Sequence, residues 1–395
     1  MTTTQYLAAN FSEKPDLINL HRAAKLAPGN AEYQYRIGRY FFLAAMSPAE
    51  AAPYYESAVA LDPHRSRYWF GLATAYQVLG DTAKQMNALE RAIQSDPKTP
   101  DVAWQAANLY LVQGETTKAL SEFRIVLEND PYLTGAALQL SWRANPDVDA
   151  LLRDVVPPVP GVYSSFLSFL ISKKQSAAAA KVWTQMVQLH EAVETQTVFE
   201  YVRYLIEERE VSQAREAWQQ APAIADLSNY QPSPANLMVN GDFSLPVLNG
   251  GFDWQYEKIA GISFALDPTE SHLGNHSLLI SFAGAAIDDV GLRQLVPVEP
   301  NTRYDFSAYF KAPHLDGAGG IKFLIQDFYG GTSFWGSDDL KNVEVWKQVS
   351  GTFTSGPDTK LLVIRLQRIP AGSPIRGNLW IDGVRLIAAE PGSTR

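Results

Sequence analysis

The sequence predicts a multidomain chain with two fold classes in series, an α-solenoid followed by an antiparallel jelly-roll β-sandwich. Three observations carry this. Asp62-Pro63, Asp96-Pro97 and Asp130-Pro131 recur 34 residues apart, and Ala27-Pro28 stands 35 residues before Pro63. Up to about residue 220, apolar residues fall at helical spacing among Ala, Gln, Glu and Leu, with few glycines. From about Asn236 onward, short runs alternate apolar with polar residues between Gly, Thr and Ser clusters, which is the period of strands. Between the two lies residues 221–235, where Pro222, Pro232 and Pro234 stop helix propagation. The expected organisation is therefore a helical part over 1–220, a linker over 221–235 and a sandwich over 236–390.

Within the helical part, one repeat reads Trp69, Leu72, Tyr76, Gly80, Leu89, Ala92, Pro97, and the next Ala107, Tyr110, Gly114, Ala119, Phe123, Pro131. An earlier one reads Ile37, Gly38, Ala51, Tyr55, Ala58, Pro63, with one residue inserted in its turn. Small residues let the two helices of a hairpin approach, large ones fill the space between them, and proline ends the second helix. These positions, at this period, resemble the tetratricopeptide repeat (TPR) family. Beyond Pro131 the period degrades, and helices are expected near 162–173, 176–190, 195–208 and 211–220, making about six hairpins in all. The resemblance implies a protein-interaction scaffold. Its concave groove would be lined by first helices, with Tyr35, Phe70 and Trp104 at one repeat position and Arg39, Thr74 and Asn108 one turn further on. Rings beside polar side chains suit an extended peptide or a partner's helix. The same rings could instead pack against neighbouring repeats.

In the second part, residues 302–311 place Tyr304, Phe306, Ala308 and Phe310 on one face and Asp305, Ser307, Tyr309 and Lys311 on the other. Residues 360–368 put Leu362, Ile364 and Leu366 opposite Arg365 and Gln367. Further strands are expected at 277–282, 290–298, 321–328, 345–354 and 378–387, enough for a sandwich. Five segments also come in a telling order. They are Asn236–Ser244 with Gly251–Trp254, His272–Leu278, Arg293–Val298 with Pro300–Ser307, Trp346–Thr354, and Leu379–Leu386. In that order they resemble the jelly-roll carbohydrate-binding modules of the galactose-binding-like group. The resemblance implies a module that holds a polysaccharide by ring stacking and hydrogen bonds. Candidates are Tyr329, Phe334 and Trp335, on a glycine-rich tip with little core to bury against, and Tyr309, Arg365 and Gln367 on polar faces of strands. Trp254, Trp346 and Trp380 read as core. Such modules often hold a structural calcium, for which Asp242 and Asp382 are the carboxylates in position. Ser244 stands where an acidic residue is common.

Catalytic patterns are missing. His272 and His276 flank a Gly-Asn turn rather than sharing a helix face. Gly317–Gly320 precedes a strand, so it lacks the helix N-terminus that cradles phosphate. The pairs Asp288-Asp289 and Asp338-Asp339 lie in loops with no recognisable catalytic segment, and no nucleophile-elbow serine occurs. The formal charge of −9 without a Lys/Arg block disfavours a nucleic-acid partner, and the absence of cysteine removes disulfides, thiolate sites and cysteine nucleophiles. No apolar run reaches the roughly 18 residues of a membrane span. The opening from Met1 has no signal-peptide pattern. The expectation is a non-enzymatic binding scaffold outside the cytoplasm, its targeting segment or membrane anchor not in this chain. The alternatives are an assembly protein with only protein contacts, or a cytoplasmic adaptor.

Overall fold

The computed structural model describes residues 16–389, so the Met1 opening lies outside the described residues. Two compact units divide between Trp183 and Thr184.

The first unit is helical. After a helix at Leu17–Leu26, hairpins pair Ala31–Arg39 with Pro48–Leu61, Ser66–Leu79 with Thr82–Ser95, and Pro100–Val112 with Thr116–Asn129. Thr134–Ala144 and Val148–Asp154 follow, then Pro160–Ser172 and Ser176–Leu189, the last crossing into the second unit. Each of the three second helices stops one residue before its Asp-Pro pair, because the residue preceding proline is driven out of the α region. Gly80 and Gly114 end their first helices at φ 75° and 79°, the left-handed region that favours glycine. Gly38 and Gly71 have a different role. A Cβ on either would meet the Tyr55 ring at 2.8 Å or 2.9 Å, so their missing side chains seat that buried tyrosine. The residue inserted in the first repeat is absorbed as a π-helical turn, Tyr40–Ala44, closed by Ala45 N–H donating to the Tyr40 carbonyl at 3.1 Å.

The second unit begins with the end of that helix, continues through a hairpin, Thr195–Glu207 and Val211–Gln220, and closes with the sandwich. Short 3₁₀ turns at Ala221–Ala223 and Ser228–Tyr230 fold the proline-rich segment into this unit. There the Trp218 indole N–H donates to the Tyr230 carbonyl at 2.9 Å, and the Tyr230 hydroxyl donates to the Pro246 carbonyl at 2.8 Å.

The strands are β1 (Gln255–Tyr256), β2 (Ile262–Asp267), β3 (Ser277–Ile287), β4 (Asp289–Pro297), β5 (Arg303–Ala312), β6 (Asp316–Gly317), β7 (Gly320–Asp327), β8 (Ser333–Gly336), β9 (Val343–Thr354), β10 (Leu361–Ile369) and β11 (Ser373–Ala388). One sheet has the order β1-β4-β10-β7-β8. The other runs β2-β3-β11-β5-β9, with β6 beside β11. All pairs are antiparallel. Alternation decides what lies between the sheets: Leu292, Phe306, Phe323, Ile364 and Ile381 point inward and are buried. Trp254 joins them, stacked on Phe243 with its indole N–H on the Asn240 carbonyl at 3.2 Å. Trp346 and Trp380 do not, contrary to the core expected for them. Leu379 and Ile381 take the inward positions of β11, so Trp380 faces out and donates to Asp267 at 2.8 Å, while Trp346 lies beside His272 on the same outer face.

Candidate functional site

The first unit places the expected groove residues unevenly. Tyr35 is half-buried and packs its ring on Tyr68 at 4.9 Å and Tyr55 at 5.7 Å, with the Arg39 and Arg67 guanidinium groups over it at 6.0 Å and 5.4 Å. Arg67 and the Tyr68 hydroxyl both reach Glu32, which also holds Arg36 at 2.9 Å, so the first two hairpins are tied by a charged aromatic cluster. Phe70 is 3 % exposed and so has no ring to offer a partner. Trp104 is half-buried, edge-on to Phe123 at 5.8 Å. The Thr74 hydroxyl and Asn108 amide donate to the carbonyls of Phe70 and Trp104 in their own helices, at 2.8 Å and 2.7 Å. What stays accessible at these positions is Arg39, with the outward parts of Tyr35, Thr74, Trp104 and Asn108.

In the second unit, the strand candidates fall on opposite sides of the sandwich. Arg365 and Gln367 lie on β10, on the outer face of the first sheet. Tyr309 lies on β5, on the outer face of the second. Tyr309 therefore cannot join the other two around one sugar. Its ring is already covered by His272 at a centroid distance of 3.7 Å, and Gly383 approaches it from β11. Assignment to a sheet depends on distant pairing, which alternation within one strand does not encode.

The aromatic tip is also occupied. Trp335 and Phe334 are half-buried against the sandwich core, with Trp335 5.2 Å from Phe306 and Phe334 stacked on Phe353 at 6.1 Å. Gly351 makes room for the indole, since a Cβ there would sit 2.0 Å from Trp335 Nε1. The Tyr329 hydroxyl donates to the Ile206 carbonyl at 2.6 Å, which also accepts from the Arg209 amide at 3.0 Å at the end of helix Thr195–Glu207. Arg209 lies over its ring at 5.1 Å.

That contact points to a cleft. Helix Thr195–Glu207 and the outer face of β1 and β4 enclose about 610 Å³, within the range of small-ligand sites. Gln196, Arg203 and Glu207 line it from the helix, Gln255 and Arg293 from the sheet, and Phe328 with Tyr329 closes one end. Gln255, Arg293 and Arg365 are successive cross-strand partners on β1, β4 and β10, so they form one polar row. Arg365 donates through Nη2 to Gln367 Oε1 at 3.0 Å and reaches Asp289 at 3.8 Å, while its Nε is buried without a partner. Arg293 and Gln255 were not singled out from the sequence. The available signal was the polar Arg293 between inward Leu292 and Gln294. It was obscured because Gln294 is itself polar yet buried, its amide pairing twice with the Val239 backbone.

The carboxylates in position for calcium are otherwise engaged. Asp382 is fully buried and accepts from the His272 and Leu273 amides at 2.7 Å each and from Gly383 at 2.6 Å, which clamps the 272–273 turn. Burial raises its carboxyl above the ordinary range, opposed by those amides. Asp242 accepts from the Ser244 hydroxyl at 2.8 Å. Among the described residues no three His, Cys, Asp or Glu side chains converge as a metal site. Nor, among these residues, is any helix long and apolar enough to cross a membrane.

Comparison with known proteins bears on both units. Residues 235–372 match a family described as carbohydrate binding domain, and residues 42–100 and 86–134 match tetratricopeptide repeats. No curated protein sequence matches the chain. A solved CBM4 module is 16 % identical over 38 % of this chain and 99 % of its own, at a TM-score of 0.30. The CBM22-1 xylan-binding domain of Xyn10C from Paenibacillus barcinonensis is 14 % identical over 38 % and 94 %, at 0.29. PilF of Pseudomonas aeruginosa is 15 % identical over 55 % and 88 %, at 0.27.

Proposed function

We propose, from the premise that residues 42–134 carry tetratricopeptide repeats and residues 235–372 a carbohydrate binding domain, that this chain is a non-catalytic scaffold. The repeats dock a protein partner and the sandwich binds a polysaccharide. The carbohydrate reading rests on the row Gln255, Arg293, Arg365, with Gln367 beside it: hydrogen-bonding side chains on one sheet face, of which Gln255 and Arg293 line the cleft. Amide and guanidinium groups fixed on strands suit hydroxyl-rich ligands, because their partners are then oriented before binding. The setting we propose is outside the cytoplasm, where polymeric sugars are exposed.

Native electrophoresis of the full chain in gels containing dissolved neutral or acidic polysaccharides tests this. Retardation by at least one polymer is expected. Unaltered migration in all of them, for a chain shown to be folded, would remove the carbohydrate reading.

The engaged aromatic tip favours a second reading, an assembly protein with protein contacts only. Trp335→Ala bears on that choice. The half-buried indole predicts destabilisation of about 2 kcal/mol or more from lost packing, read as a lower melting temperature. Lost polysaccharide retention with unchanged melting would instead return the tip to the ligand.

A further inference from the structure

We infer that the cleft beside helix Thr195–Glu207, together with the adjoining outer face of β10, takes an acidic polysaccharide, with the carboxylate of a uronic-acid residue held by Arg293 at the cleft and its register neighbour Arg365 beside it; this rests on the carbohydrate reading above. The argument starts from a like-charge pair. Arg365 and Arg293 are direct register partners on β10 and β4, and both project from the outer face. Two like charges directly opposite on a sheet repel. The acidic groups that face them are few. Asp289 touches Arg365 alone, at 3.8 Å, and Glu207 across the cleft lies 3.9 Å from Arg203. Arg293 has no ion-pair partner among the described residues.

In a chain of net charge −9, positive charge left uncompensated on one face calls for an anion from outside. The planar guanidinium fork matches a carboxylate in two-point geometry. Gln255, the other neighbour of Arg293 in the row, can meet ring hydroxyls, while Gln196 and Arg203 form the opposite wall. The helix hairpin thus contributes half of a site whose other half is sandwich.

The experiment is affinity electrophoresis of the full chain with polygalacturonate, carboxyl-reduced polygalacturonate, a neutral β-glucan and dextran sulfate. Native polygalacturonate should retard the protein, increasingly so at low salt, and the carboxyl-reduced polymer should bind at least tenfold more weakly. Arg293→Gln and Arg365→Gln should each cost a similar factor. Arg293→Gln should melt no lower than the unaltered chain, because it relieves a repulsion and breaks no ion pair. Equal binding of native and reduced polymers, or full affinity in Arg293→Gln, would overturn the proposal. Dextran sulfate bound as tightly as polygalacturonate would reduce the site to a general polyanion patch and overturn the carboxylate assignment. Binding of the neutral glucan alone would overturn it while leaving the carbohydrate reading intact, and binding of no polymer would remove both.

Discussion

At the scale of single residues, two buried positions in the second unit set measurable properties. Asp253 is fully buried, with Oδ2 accepting from the Leu248 amide at 2.7 Å and Oδ1 unpartnered. Burial pushes its carboxyl up to about 7, outweighing the hydrogen bonds that favour the charged form. The folded state therefore holds a proton that the unfolded chain releases in the ordinary carboxylate range. This contribution to stability is complete below that range and is lost as pH rises through about 7. Asp253→Asn should flatten the fall in stability between pH 4 and 8 and gain a few kcal/mol at the upper end, as urea titrations at several pH values would show. An unchanged pH profile would mean that Asp253 stays ionised. Gly251 has φ 59°, and a Cβ there would lie 2.0 Å from the Trp218 ring. Gly251→Ala combines a left-handed backbone with overpacking, so a loss of roughly 2–5 kcal/mol is expected, seen as a lower urea midpoint.

At the scale of elements, the sequence was legible wherever the determinants are local. Asp-Pro pairs and Gly80 or Gly114 mark helix ends through the conformations allowed to one residue. Alternation along 302–311 assigned Tyr304 and Phe306 inward from four alternate apolar positions. The candidate site was legible only in part. Arg365 and Gln367 lie where the polar row runs, but Tyr309 went to the other sheet. Tyr329 went to a helix end because its partner, Ile206, is 123 positions away. Such pairings leave no local trace. The helices expected at 195–208 and 211–220 were found, yet nothing in their spacing showed that Phe199 and Trp218 would pack on Gly250, Gly251 and Phe252. These contacts make the hairpin part of the sandwich's support. A chain of residues 184–395 should accordingly unfold cooperatively at a higher temperature than one of residues 232–395. Equal melting of the two, followed by circular dichroism, would show that the hairpin contributes nothing to the sandwich.

At the scale of the whole molecule, the sequence repeats one helical pattern and then stops it. The last hairpin buries Trp218 under sandwich residues with Phe199 half-buried beside it, and Tyr230 and Gln231 satisfy the indole N–H and the Trp218 carbonyl. Chains cut at residue 220 should lose that cover and self-associate with rising concentration, whereas the full chain should show no such association through this surface. Sedimentation velocity distinguishes the two, and a chain of residues 1–220 that stays monomeric would show that the cover is dispensable.

Repeat arrays are open-ended by construction, since each unit presents a sticky flank to the next, and growth into filaments is avoided only by a terminal unit with a different outer surface. In this molecule that stopper is a β-sandwich fastened over the final helices through Gly250, Gly251 and Phe252. The domain read as a ligand binder thus also covers the flank of the last hairpin on which a further hairpin would otherwise stack.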